Sequence, residues 1–420
     1  MERGLRAVAI TPTDKPLVGR VTPPGSKSIT NRALLLAALA EGTSHLTGAL
    51  KSKDTALMAT ALRQMGVGVD EPDATSFTVT GSGRLAPPAA PLFLGNSGTT
   101  VRFLTAAVAS VDGTVIVDGD ENMRKRPIAP LLDSLAMLGV KAESPTGCPP
   151  VTVHGIGRLP AGRVTIDGGL SSQYVSALLM AAALGDGPIE VALTGANIGA
   201  RGYVNLTVAA MRAFGARVEE RGDDNWFVQP TGYKATDFHI EPDASAATYL
   251  WAASALTGGD IDLGVPANAF TQPDAAASAV IAQFPHMPAV IDGSQMQDAV
   301  PTLAVLAAFN DTPVRFTGIA NLRVKECDRV SALATELSRI VPGLGREEGD
   351  DLVVASDPSL AGKALPTEIE TYEDHRIAMS FALAGLRIGG LKILDPDCVG
   401  KTYPGYWDAL ASLGVGVKAA

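Results

Sequence analysis

The chain has 420 residues, enough for two or three domains with a substantial core and too many for a small stapled module. Hydrophobic residues make up 46% and charged residues 19%, and there are 44 glycines, which excludes a disordered chain and points to α/β structure with many tight turns. Asp plus Glu outnumber Lys plus Arg by 44 to 34, a formal net charge of −10, which argues against a general nucleic-acid surface or a basic membrane patch and requires that any anionic ligand be met by locally clustered cations.

At the N-terminus Glu2, Arg3, Arg6, Asp14 and Lys15 interrupt any apolar run, and the longest weakly polar stretch, Val175 to Leu184, is too short to span a bilayer. Cys148, Cys327 and Cys398 are too few and too scattered for a disulfide framework or a metal site, so a reducing cytoplasm is the expected location. Leu17 to Val21 reads as a strand ahead of Pro23-Pro24. Helices are then predicted to start near Ser28, Gly98, Ser172, Ala244, Ala299 and His375. A second helix follows each of them, and four end on the same phrase, an apolar run closed by Gly66, Gly139, Gly215 or Gly414 and followed by a short hydrophobic segment. Val280 to Phe284 and Leu337 to Ile340 are degenerate copies. Glycine there suits the left-handed residue that ends a helix, and the apolar run after it suits a buried strand. Six copies give a repeat of about 70 residues. The repeats divide three and three at the turn-rich Gln229-Pro230-Thr231-Gly232, which predicts one lobe from residues 25–232 and another from residues 1–24 with 233–420.

The loops that lead into the six helices hold the unusual residues. Ser, Asn and Asp in them are good N-caps, but capping does not explain cations such as Lys27, Lys325 and Arg376, which a helix N-terminus repels unless an anion binds there. Gly25-Ser26-Lys27-Ser28 lacks the spacing of a nucleotide P-loop, and no GxGxxG, HExxH or GxSxG is present, so the Rossmann, zincin and serine-hydrolase chemistries lose their usual support. What remains is a set of cations embedded in Gly, Ser, Asn and Pro: Lys27, Arg32, Arg102, Arg124, Arg126, Lys325, Arg329, Arg376 and Lys401. Together they suggest a pocket for more than one anionic group. Asp298 and Glu326 lie among them and are candidate acid/base groups, whereas Asp328 reads better as a salt-bridge partner.

Taken in order, Gly25 to Arg32, Leu94 to Thr99 with Arg102, Arg124 to Pro127, Ser171-Ser172-Gln173, Arg323 to Arg329, Asp374-His375-Arg376 and Lys401 to Pro404 closely resemble the 5-enolpyruvylshikimate-3-phosphate synthase family over nearly the whole chain. The resemblance implies an α/β fold of two similar lobes, each of three βαβαββ repeats in an inside-out α/β barrel, with the active site in the cleft between them. It implies transfer of the enolpyruvyl group of phosphoenolpyruvate to the 5-hydroxyl of shikimate 3-phosphate, by addition and then elimination, on the way to chorismate and the aromatic amino acids. No cofactor and no metal is implied, and a monomer is expected, with glyphosate as a possible inhibitor.

By matching position, the resemblance assigns shikimate 3-phosphate to Lys27, Ser28, Arg32, Ser171, Ser172, Gln173, Tyr203, Asp298, Asn321 and Lys325. It assigns phosphoenolpyruvate to Lys27, Asn96, Gly98, Arg126, Gln173, Arg329, Arg376 and Lys401. Lys27, Asp298, Glu326 and His375 are the candidate catalytic residues, Glu326 as acid/base at carbon, Asp298 and Lys27 at the hydroxyl and the leaving phosphate, and His375 as an orienting group. Two positions depart from the family pattern. Ala200 stands where a serine usually helps hold the substrate phosphate, leaving that contact missing or supplied by Arg201 or Asn197, and the bulk of Phe103 is expected behind Gly98. The competing readings are the sister transferase that acts on UDP-N-acetylglucosamine, disfavoured by Lys27-Ser28 and by the lack of a matching loop cysteine, and a non-catalytic anion-binding protein, disfavoured by the acids.

Overall fold

The structure, a computed structural model, describes residues 7–195 and 199–420. The chain forms two compact units, one made of Met1–Pro24 with Pro242–Ala420 and the other of Gly25–Glu241.

In the Gly25–Glu241 unit, helices Lys27–Ala38, Gly98–Ala107 and Ser172–Ala182 are buried almost all round. Beyond their second turns these sequences are almost wholly apolar, so the helices are stable as the centre of a core, with the sheets outside them. Two repeats show the full strand-helix-strand-helix-hairpin order. In one, Leu92–Phe93 and Asp112–Asp118 are parallel, and Val151–Ile156 and Lys141–Glu143 complete the sheet antiparallel. In the other the same roles fall to Gly162–Asp167, Ile189–Thr194, Asn225–Val228 and Val218–Glu220.

The remaining repeat of this unit, with strands Ala40–Thr47, Ser76–Ser82 and Gly68–Asp73, lacks a first strand of its own. Tyr233–Lys234 and Phe238–His239 supply it, both parallel to Ala40–Thr47. These residues therefore belong with Gly25–Glu241, and the chain changes unit after Glu241 rather than at Gly232.

The other unit repeats the plan with its own core of buried helices, Ala244–Thr257, Val300–Ala307 and His375–Gly385, which pack on one another. Val290–Asp292, Val314–Thr317, Asp351–Val354 and Gly345–Glu348 form one sheet, and Ala364–Ile369, Gly389–Leu394, Ala7–Thr11 and Gly416–Ala419 another. Ala7–Thr11, from the start of the chain, sits between the last two strands, antiparallel to both. The repeat that starts at Val18–Arg20 is shortened to two parallel strands, with Asp260–Asp262. The Pro- and Ala-rich stretch after it forms short helical turns and leaves no room for a hairpin before Val290.

Helices start at Lys27, Gly98, Ser172, Ala244, Val300 and His375, within a residue of the expected positions. Gly66, Gly139, Gly215 and Gly414 all take positive φ, 75° to 86°, where a Cβ would be strained. None of the described helices is long and apolar enough to cross a membrane.

Candidate functional site

The expected site residues fall into two sets, one in each unit. In the Gly25–Glu241 unit, Ser26 caps the first helix, accepting from the amide of Ile29, and places Lys27 at the first helical position. The Lys27 Nζ lies 3.7 Å from Asp54, which the Ser52–Thr55 capping box sets in the first turn of helix Lys53–Gln64. Both side chains are buried.

Just over one turn further on, Arg32 is 2% exposed, and its hydrogen-bond partners among the described residues are all neutral oxygens. It donates to Thr207 Oγ1 at 2.6 Å, the Ser28 carbonyl at 2.8 Å, the Tyr203 carbonyl at 3.2 Å and Ser176 Oγ at 3.3 Å. The rings of Phe103 and Tyr203 lie 5.1 and 5.8 Å from its central carbon. Burial pulls its pKa down to about 10, against a small opposing effect of Tyr203. A cation taken out of water and given no carboxylate is a standing cost that a bound anion would offset.

The loop Leu94–Ser97 and helix Gly98–Ala107 gather a second group of cations. Arg102 donates to Gln173 Oε1 at 2.7 Å, the Gln173 amide reaches Thr99 Oγ1 at 3.2 Å, and Arg126 donates to Asn96 Oδ1 at 3.1 Å. Gly98 lies between the two arginines, and a Cβ there would meet Arg102 Nη1 at 2.7 Å and Arg126 Nη2 at 2.8 Å. The space in front of this helix start is thus reserved by two guanidinium groups. Ser171 caps the neighbouring helix, accepting from the Gln173 amide, and Ser172 is buried at its first position.

Phe103 is fully buried against Arg32, so its bulk supports that guanidinium, whereas the close neighbours of Gly98 are Arg102 and Arg126. Arg201, expected as a possible substitute for the missing serine at Ala200, pairs with Asp224 at 3.0 Å and faces the Trp226 ring. Asn197 lies outside the described residues.

In the other unit three cations and three acids interlock. Arg329 opens helix Arg329–Ile340, which Asp328 caps through the Ser331 amide. It donates Nε to Asp374 Oδ2 at 2.7 Å, Nη1 to Asp298 Oδ1 at 3.0 Å and Nη2 to Glu326 Oε2 at 2.8 Å. Arg376 donates to Asp298 Oδ2 at 2.9 Å, and Lys401 lies 2.9 Å from Glu326 Oε1. Burial disfavours both arginine cations, yet the surrounding acids hold each pKa above its ordinary value: Asp374, Glu326 and Asp298 at Arg329, with Asp298 leading at Arg376. His375 is buried with Nδ1 3.6 Å from Asp374.

Asn321, in the short helical turn Ala320–Val324, has a buried Oδ1 with no hydrogen-bond partner among the described residues, an acceptor that a ligand hydroxyl could satisfy. Lys325 ends the short helical turn Ala320–Val324; the helix-start position expected of it is taken by Arg329. Asp328 is the salt-bridge partner expected, of Arg323 at 2.9 Å.

Asp374 and Asp54 were absent from the candidates. Asp374 was legible in principle, as the N-cap just before His375-Arg376, whereas nothing local marks Asp54 as the partner of Lys27. Among the described residues no group of three or more His, Cys, Asp or Glu could hold a metal ion. Chemically, the two sets offer fixed positive charge at helix starts, buried carboxylates in contact with that charge, and neutral acceptors for hydroxyl groups.

The family model for EPSP synthase (3-phosphoshikimate 1-carboxyvinyltransferase) matches residues 12–410. The 3-phosphoshikimate 1-carboxyvinyltransferase of Rhizobium leguminosarum bv. trifolii is 70% identical over 408 residues, 97% of each chain. The protein of that name in Pseudomonas syringae pv. syringae is 70% identical over 411 residues, 98% of each chain. Among solved structures, EPSP synthase from Acinetobacter baumannii superposes with a TM-score of 0.79 at 26% identity, covering 99% of this chain and 100% of its own. Both polar sets, from Lys27 to Lys401, lie inside the matched span, and the chain belongs to the EPSP synthase family.

Proposed function

We propose that this enzyme transfers the enolpyruvyl group of phosphoenolpyruvate to the 5-hydroxyl of shikimate 3-phosphate, giving 5-enolpyruvylshikimate 3-phosphate and inorganic phosphate. The observation that carries the reading is Arg32, a buried guanidinium that among the described residues is bonded to neutral oxygens alone, in a chain whose net charge is −10. A buried cation without a carboxylate carries a desolvation cost that a bound anion offsets. Lys27, Ser28, Arg32, Ser171, Ser172, Gln173 and Tyr203, with Asp298, Asn321 and Lys325, take shikimate 3-phosphate. Lys27, Asn96, Gly98, Arg126 and Gln173, with Arg329, Arg376 and Lys401, take the carboxylate and phosphate of phosphoenolpyruvate.

In the addition step the 5-hydroxyl oxygen bonds to C2 of phosphoenolpyruvate and loses its proton while the methylene carbon gains one. In the elimination step the new methyl group gives a proton back, the C2 to phosphate bond breaks, and phosphate leaves. Glu326 exchanges the proton at carbon. Both of its oxygens are engaged by Arg329 and Lys401, so it becomes free to hold a proton when substrate anions take those cations. Asp298 and Lys27 serve the hydroxyl and the departing phosphate, and His375 orients the site.

A monomer of two lobes, a cytoplasmic location and inhibition by glyphosate at the phosphoenolpyruvate site complete the reading. The test is phosphate release on mixing the protein with both substrates, against each substrate alone. Release that requires both, with a product heavier than shikimate 3-phosphate by one enolpyruvyl group, supports the reading; no release overturns it.

A further inference from the structure

The loop that delivers Asp374 and Arg376 contains two successive non-glycine residues with left-handed backbone, Tyr372 at φ 55° and Glu373 at φ 56°. L-residues avoid this region, so such a pair persists only where surrounding contacts over-determine it. Within the loop the Tyr372 amide donates to Glu370 Oε1 at 3.4 Å, and from outside it the turn is held by Glu336, two turns along the helix that Arg329 opens. Its side chain is fully buried, and both oxygens are used twice. Oε1 accepts from the Tyr372 hydroxyl at 2.7 Å and from Arg339 Nη2 at 3.0 Å, while Oε2 accepts from the Glu370 amide at 3.1 Å and from Arg339 Nε at 2.8 Å. Arg339 supplies the charge that lets a carboxylate remain buried there.

One helix thus grips one loop at two places. Arg329, at the start of the helix, holds Asp374 after the turn, and Glu336 holds Glu370 and Tyr372 before and within it. Inside the turn the Asp374 amide donates to the Thr371 carbonyl at 2.8 Å, and Asp374 Oδ1 accepts the Arg376 amide at 2.8 Å, which starts the helix.

We propose that Glu336 is a positioning residue: through the Tyr372 hydroxyl and the Glu370 amide it locks the left-handed turn that sets Asp374 on Arg329 and aims Arg376. This rests on the reaction assigned above to Arg329 and Arg376. Small displacements of charged groups at a reacting centre cost rate far more than they cost folding, so the loss should be read in catalysis first.

The test uses full-length Tyr372→Phe, which removes one hydroxyl, and Glu336→Gln, which keeps shape and loses one acceptor. Both are compared with the native chain well below the unfolding temperature, by phosphate-release kinetics and by hydrogen exchange of the backbone from Glu370 to Arg376. The expected result is a kcat lower by about tenfold and a KM for phosphoenolpyruvate higher by a few-fold, with faster exchange confined to that segment. The KM for shikimate 3-phosphate should stay within about twofold, since most of its ligands lie elsewhere. Faster exchange with unchanged kinetics would make the contact purely structural and overturn the proposal, and slowed turnover with unchanged exchange would overturn the locking of the turn. If the native chain releases no phosphate from the two substrates, the assigned reaction fails, and the exchange arm alone still decides whether Glu336 holds the turn.

Discussion

Arg329 and Asp374 are joined by two nearly parallel hydrogen bonds, Nε to Oδ2 at 2.7 Å and Nη2 to Oδ1 at 3.2 Å, with both side chains out of contact with solvent. The same carboxylate caps helix His375–Gly385, so one acid both orients the guanidinium and starts the helix that carries Arg376. Asp374→Asn keeps the cap acceptor but leaves Arg329 with Asp298 and Glu326 as its only acids. Losing one acid from a buried charged group should cost about 2 to 4 kcal/mol of stability, read as a lower urea midpoint, with kcat reduced as well.

Glu326→Gln should bind both substrates and lose turnover by about a hundredfold or more, because the amide keeps the shape but cannot exchange a proton at carbon. Rapid-quench phosphate release with equilibrium binding checks it. Near-native release would remove Glu326 from the acid/base role.

Lys27→Met should lower kcat/KM for phosphoenolpyruvate by about a hundredfold or more, since its charge is proposed to serve a group whose charge grows in the transition state. The substitution also leaves Asp54 buried without its lysine, so thermal unfolding should be followed in parallel. A change confined to shikimate 3-phosphate affinity would make Lys27 a binder of the other substrate.

Arg32→Met offers a trade between stability and binding. The guanidinium is desolvated and meets no carboxylate, so the ligand-free variant should be as stable as the native chain or more stable, by on the order of 1 kcal/mol. Affinity for shikimate 3-phosphate should nevertheless fall about a hundredfold. Calorimetry on the ligand-free chain and titration with the substrate separate the two effects; a strongly destabilised variant with native affinity would contradict both.

Gly98→Ala should fold normally, because Gly98 does not take a positive φ, and should raise the KM for phosphoenolpyruvate about tenfold as the added methyl pushes on Arg102 and Arg126. Steady-state kinetics with phosphoenolpyruvate varied at saturating shikimate 3-phosphate checks this.

Helix starts and stops were readable in the linear text because their causes are local. A Gly at a left-handed helix end, as at Gly66 or Gly414, and a Ser or Asp cap, as at Ser26 or Asp374, act within a few residues of the chain. The starts of the six buried helices and the family itself followed from that text. The tertiary structure alone decided which distant segments complete each sheet: Tyr233–His239 beside Ala40–Thr47, and Ala7–Thr11 between Gly389–Leu394 and Gly416–Ala419. It also decided which buried polar groups meet, Lys27 with Asp54, Arg329 with Asp374, and Glu336 with the Tyr372 hydroxyl, and it set the Phe103 ring against Arg32. Strand pairing and buried charge pairing are contacts between residues far apart in sequence, selected by the cost of leaving a buried strand edge or a buried carboxylate without a partner, and that cost acts only once the core has closed.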